Sequence, residues 1–266
     1  MKFQTKLLSL VLALVMTVCC LASCNLGGNN NINGGGDLGD LPIETSIYSC
    51  DVEIKFATAD DKMKDAAYAM SSSSKILCDG DNLFITTKAN TGNVSVKDSY
   101  TLHSGILYRE TNVTVGDISA SERFMSNGES LTKDQLLASV DKSANIGLAD
   151  FYTIDTIDTA TYTTIFYCSE LLDEAKERLS EIYSSEFSVL GDAIVILKDA
   201  ELEIETFLNA TQRSILSCHF EIILGGESYE ITMHTYKTYN YSILVRFDAP
   251  IDTESYKPTS LKDIIG

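Results

Sequence analysis

The sequence predicts an α+β domain, an antiparallel sheet of about ten strands covered by two helices. Three observations predict it. From Glu44 onward most segments alternate apolar and polar residues, the period of strands with one buried face. Short turns containing Gly, Asn or Asp separate those segments, as in a chain that folds back on itself. Two segments, beginning near Thr132 and Ser169, switch to helical period and carry apolar stripes that need a partner layer.

In chain order, Lys2 and Lys6 form a short basic start, and Leu7 to Val18 is almost wholly apolar. That run is too short for a mature membrane span and suits the core of a signal peptide. Leu21-Ala22-Ser23-Cys24 follows. It resembles the lipobox of bacterial lipoproteins, an apolar residue and two small ones before a Cys. The resemblance implies removal of residues 1–23, a diacylglyceryl thioether on Cys24, and lipid anchorage to the cell membrane on its extracytoplasmic face. Two acyl chains, at about 0.8 kcal/mol for each buried CH₂, hold a protein stably where one does not. Residues 24–43 read as a lipidated Gly/Asn-rich tether, whose stretch Asn25 to Asp40 has an r.m.s. span of ~22 Å.

The domain is expected over 44–250, with a tail over 251–266. Tyr48, Cys50, Val52, Ile54 and Phe56 alternate with polar residues as a first strand. Lys62 to Ser74 is ambiguous: Ala66, Ala67, Ala69 and Met70 suit a helix, but the serines that follow disfavour one, and the stretch reads as a second strand running to Cys78. Asp79-Gly80-Asp81-Asn82 makes a hairpin turn. Strands follow at Leu83 to Lys88, Val96 to His103, Ile106 to Val115 and Ile118 to Met125.

Thr132-Lys133-Asp134-Gln135 fits a capping box ahead of a stripe of Leu136, Leu137 and Val140. Phe151 to Ile157 and Thr161 to Cys168 are strands across a turn at Asp158-Thr159. Ser169 is placed to cap a second helix, Glu170 to Tyr183, with Leu172, Ala175, Leu179 and Ile182 on one face and Glu174 paired with Arg178. Ala193 to Leu208, Ser214 to Leu224 and a segment through Tyr229, Ile231 and Met233 are long strands. Tyr239-Asn240 turns, and Ile243, Val245 and Phe247 close the sheet. Leu261 to Ile265 forms a short docked turn.

The run TTIFYCSELLDEAKERL, then AELEIETFLNA, then SILSCHFEIILGGESYEITMHTYKTYNYSILVRFDAPID resembles the superfamily of outer-membrane lipoprotein carriers and mycobacterial lipid-binding lipoproteins. The likeness covers roughly Tyr162 to Tyr256 and lies in patterning; the first half departs, leading straight into a strand where those families begin with a helix. It implies a strongly curved sheet, a β half-barrel with two helices across its concave face, that holds acyl chains between the layers. Leu136, Val140, Leu172, Leu179, Phe220, Ile222, Ile231 and Met233 would line such a cavity. The alternative is a packed interior, since proteins usually fill their cores to crystal-like density.

The formal net charge is −18, and loss of Lys2 and Lys6 with the leader would take it to −20. Such a surface is soluble and argues against nucleic-acid partners, which need basic patches. Cys50, Cys78, Cys168 and Cys218 allow three disulfide pairings or, as the favoured reading, four small buried apolar side chains. His103, His219 and His234 are the only histidines. None lies in a zinc or nucleophile pattern, and neither a Gly-x-Ser-x-Gly elbow nor a phosphate-cradling glycine loop occurs, so neither an enzyme nor a metal or cofactor site is expected. The expected partners are the membrane through Cys24, a lipid or lipoprotein ligand, or an envelope protein docked on the surface.

Overall fold

The structure is a computed structural model that describes residues 47–133, 135–136, 148–160, 163–187, 194–207, 211–241, 245, 247, 250 and 252–265. Cys24 and Val140 lie outside the described residues, as do the leader and the tether.

One open, curled sheet of twelve strands organises the described residues, two more than the patterning suggested. Its strands are β1 (Ile47–Ala57), β2 (Ser72–Asp79), β3 (Asn82–Thr91), β4 (Val94–His103), β5 (Ile106–Val115) and β6 (Ile118–Ser126), then β7 (Phe151–Ala160), β8 (Thr163–Leu171), β9 (Ile194–Phe207), β10 (Thr211–Leu224), β11 (Glu227–Asn240) and β12 (Lys257–Thr259). The spatial order is β12-β6-β5-β4-β3-β2-β1-β11-β10-β9-β8-β7. Every pairing is antiparallel except β12 on β6. β1 therefore sits mid-sheet and joins two meanders, pairing Cys50 with Ile76 on one side and with Tyr239 on the other.

Alternation does what the sequence promised. Cys50, Val52 and Ile54 are buried while Asp51, Glu53 and Lys55 are exposed. Leu202 and Ile204 are buried between exposed Glu201 and Glu203. Two-residue turns close the hairpins as expected, Gly80-Asp81 between the paired residues Asp79 and Asn82 being one; Gly80 there has φ +63°, a conformation with no steric cost only for glycine. A bulge at Lys198 lets His219 face Asp199 while Phe220 faces Leu197.

Six local expectations fail. Lys64–Met70 is a helix, α1, and not the start of β2. Ala67, Ala69 and Met70 are buried in this helix, which packs on β1 and β3, and Ser71 ends it by donating to the Ala67 carbonyl at 3.1 Å and accepting from the Phe56 amide at 3.0 Å. The second helix, α2, spans Asp173–Phe187. Ser169 does not cap it, because Ser169 and Leu171 still pair with Thr153 and Phe151 in the sheet. Arg178 leaves Glu174 for Asp150, at 2.8 Å, which lies where the chain enters β7. β7 runs on to Ala160, with Asp158 paired to Thr164 and Ala160 to Thr163 across a register shift at Thr159, and β11 runs through Tyr239-Asn240, which pair with Cys50 and Ser49. Val245 and Phe247 are not in a strand; Val245 is buried, and Phe247 lies 6.1 Å from Phe84, ring to ring. The last strand is β12, in the tail, followed by the short helix α3 (Leu261–Ile265).

The capping box forms as read. The Thr132 amide donates to Gln135 Oε1 at 2.9 Å, and the Gln135 amide donates to Thr132 Oγ1 at 3.2 Å. Cys50, Cys78, Cys168 and Cys218 are all free thiols and fully buried, which is the apolar reading. Among the described residues no helix is long and apolar enough to cross a membrane.

Candidate functional site

The residues expected to line a cavity come together on one face of the sheet. Leu136, Leu179, Phe220, Ile222, Ile231 and Met233 are each at most 1 % exposed and belong to one apolar cluster. Leu172 is half-buried against it. Ala175 and Leu179 of the expected helix stripe are buried, and Tyr183 joins them, its ring 4.9 Å from that of Phe220; the Ile182 side chain lies outside what the structure describes. The α2 stripe thus rests on the sheet through direct ring contact.

The same face carries polar groups whose hydrogen-bonding capacity is unused. Gln212 lies opposite Tyr239 on β11 and Thr206 on β9, so the three share one row. Gln212 Oε1, Tyr239 OH and Thr206 Oγ1 are buried without a hydrogen-bond partner. Tyr239 stacks on Tyr241 at 5.8 Å, and both rings pack near Tyr48. Patterning alone misses this row, because it begins the β10 strand only at Ser214 and puts Tyr239 in a turn.

The opposite face holds a groove of about 380 Å³. Four neighbouring strands each give it two alternate residues: Thr238 and Tyr236 of β11, Asp51 and Glu53 of β1, Ser73 and Lys75 of β2, Thr86 and Lys88 of β3. Period two puts both residues of each strand on one side, and the register aligns them in two rows. Tyr236, Glu53, Ser73 and Lys88 form one; Thr238, Asp51, Lys75 and Thr86 form the other. Lys55 borders the groove, 3.0 Å from Glu53 and with its ammonium 5.3 Å from the centroid of the Tyr236 ring. No local motif announces this site, since its members are separated by most of the chain.

Beyond the Tyr236 end, the two sheet histidines sit on the same side. His219 faces Thr232 and His234 faces Ser217, so the rings are diagonal neighbours and not directly opposed. Ser217 Oγ lies 2.9 Å from His234 Nδ1. Burial, and then the nearby His219, hold the His234 imidazole below its usual pKa and so favour the neutral ring. Ser217 and His234 alone lack an orienting carboxylate on the other ring nitrogen and a built oxyanion site. Among the described residues no group of three His, Cys, Asp or Glu side chains is arranged to hold a metal ion.

No family model matches the chain, and no curated protein matches it either. Among solved structures, an acyl-CoA thioesterase II TesB2 from Mycobacterium marinum aligns with 75 % of this chain and 83 % of its own, at 8 % identity and a TM-score of 0.15. A tesB protein of Mycobacterium avium subs paratuberculosis aligns with 74 % of this chain and 80 % of its own, at 10 % identity and a TM-score of 0.11. TM-scores this low carry nothing over to the present chain.

Proposed function

We propose that this chain is a lipid-anchored binding protein of the extracytoplasmic membrane face, non-enzymatic, which takes its ligand on the open polar face of a half-barrel whose concave side is closed by helices. The observation that carries this reading is the contrast between the two faces. The apolar side chains suited to an interior cavity are packed against one another, whereas the opposite face offers a groove of about 380 Å³ within the range of ~300–1,000 Å³ usual for ligand sites. The lipobox-like Leu21 to Cys24 and the Gly/Asn-rich tether support the anchorage.

A second reading has its own observation in favour. The unpartnered Thr206, Gln212 and Tyr239 would suit the polar head of a ligand whose acyl chains lie between α2 and the sheet. That ligand would have to lift Tyr183 from Phe220.

Native mass spectrometry of the full chain extracted from membranes separates the two. The expected result is a chain carrying a diacylglyceryl mass at Cys24, with no second lipid. A stoichiometric co-purifying acyl lipid, lost on Phe220→Trp, would move the ligand to the interior. An unmodified Cys24 would remove the anchorage.

A further inference from the structure

The charges of the polar-face groove are unevenly compensated. Across β2, β3 and β4 the register sets Ser73, Lys88 and Lys97 side by side, so Lys88 and Lys97 are directly opposed on neighbouring strands. Like charges in that position repel. Lys75 lies one row away, facing Thr86. All three lysines are exposed, and among the described residues none makes an ion pair, whereas Lys55, Lys62, Lys64 and Lys198 each do. In a chain of net charge −18 carboxylates are plentiful, yet Lys88 and Lys97 face each other. Of the two acids in the groove, Glu53 is already held by Lys55; Asp51 alone faces Lys75 across the β1–β2 pair.

Around the lysines stand the hydroxyls of Ser73 and Thr86, the latter 3.1 Å from Ser99 Oγ on β4. Ammonium groups as point charges with hydroxyls as donors are the chemistry that holds phosphate. On the far half of the same face β9 presents Glu201 and Glu203, exposed, and β1 presents Asp51 and Glu53, which would repel an anion and confine it to β2–β4. We propose that the groove binds a phosphate-bearing ligand, with Lys75, Lys88 and Lys97 supplying the cations and Ser73 and Thr86 the hydroxyl donors. A bound phosphate removes the repulsion between Lys88 and Lys97 that the empty face carries. This deepens the reading of the polar face as the binding surface, and rests on it, but needs neither the anchor nor a packed interior.

The phosphate could be carried by a soluble molecule or by a membrane headgroup, and the test has an arm for each. In the first, the full chain in a non-ionic detergent is melted with rising inorganic pyrophosphate at constant ionic strength, as wild type and as Lys88→Gln. The expected result is a saturable rise in Tm for wild type. Lys88→Gln should melt higher than wild type without pyrophosphate, its repulsion gone, and need about tenfold more pyrophosphate to respond. In the second arm, Cys24→Ser, which lacks the attachment sulfur, is floated with phosphatidylglycerol vesicles against phosphatidylcholine vesicles. Flotation with the anionic vesicles, lost in Cys24→Ser/Lys88→Gln, assigns the phosphate to a headgroup; a pyrophosphate response without flotation assigns it to a soluble molecule. No response in either arm, or a response that Lys88→Gln leaves unchanged, overturns the proposal. That failure would leave the mass of the extracted chain, and the reading it tests, untouched.

Discussion

Arg109 grips Asp98 across β4 and β5 at two points, Nε to Oδ1 at 3.2 Å and Nη2 to Oδ2 at 2.9 Å, with the carboxylate only 1 % exposed. Thr111 adds a third bond to the same carboxylate at 2.8 Å. The remaining guanidinium nitrogen, Nη1, donates to the Ile264 carbonyl at 2.8 Å, so the pair also holds the end of α3. Arg109 Cζ lies 5.2 Å from the centroid of the Tyr100 ring. Earlier in the tail, Tyr256 meets Tyr108 edge-on at 5.5 Å, and β12 covers the Phe124 to Ser126 end of the β6 edge.

Breaking this pair from one side should therefore cost more than deleting it. Arg109→Ala removes the cation that faces the buried Asp98 carboxylate, leaves the Thr111 bond in place, and is expected to lose about 3–5 kcal/mol in urea unfolding. Asp98→Leu with Arg109→Met should recover most of that loss, as replacing a buried ion pair by packed apolar groups often does. Equal losses in the single and double variants would contradict this account.

The contact between α2 and the sheet sets a second expectation. Phe220 is 1 % exposed and meets the Tyr183 ring, so Phe220→Ala should cost about 3–5 kcal/mol. Ile194, 59 % exposed at the start of β9, should cost no more than about 0.5 kcal/mol as Ile194→Ala. Denaturant midpoints at constant slope measure both.

The four buried thiols should be chemically silent. Burial pushes the Cys218 thiol up to about 12, with Asp199 adding to it, and the Cys168 thiol up to about 11, with Asp155 adding. Burial also raises Cys78, against the pull of Lys133. Since the thiolate is the reactive form, iodoacetamide at pH 8 should leave Cys50, Cys78, Cys168 and Cys218 unlabelled in the native chain and label all four in denaturant. Peptide mapping reads the result; labelling of native Cys218 would contradict its burial.

His234 gives a pH dependence with a defined sign. Burial and His219 lower its folded pKa beneath the usual imidazole value of 6.5. Above that value the ring is neutral in both states and stability is insensitive to it. As pH falls from 6.5 through the lowered folded pKa, the unfolded chain takes up the proton first and stability is lost. His234→Gln should flatten that decline in an unfolding series across the same window. A variant that loses stability on acidification as steeply as wild type would assign the decline to other groups.

How much of this was legible beforehand follows the range of the interactions. β3 to β6 appear at or within a few residues of their expected bounds, and so does the short helix at Leu261, because alternation and turn residues are written within each segment. The Thr132–Gln135 cap is equally local: both partners lie within one helical turn. Lys62 to Ser74 misled because its alanines and serines suit two states, and contact with β1 and β3 decides between them. Ser169 misled because a cap signal yields to strand pairing with Thr153.

The sequence by itself determined that alternating strands would bury one face, that helical stripes would cover it, and that the four cysteines would go inside. Only the tertiary structure decided that β1 would join β2 to β11, that Arg178 would choose Asp150, and that eight polar residues from four strands would enclose a groove. The reason is physical. A strand's period records which face meets water, whereas its neighbours are selected by hydrogen bonding and packing between segments far apart in the chain, and that choice leaves no local mark.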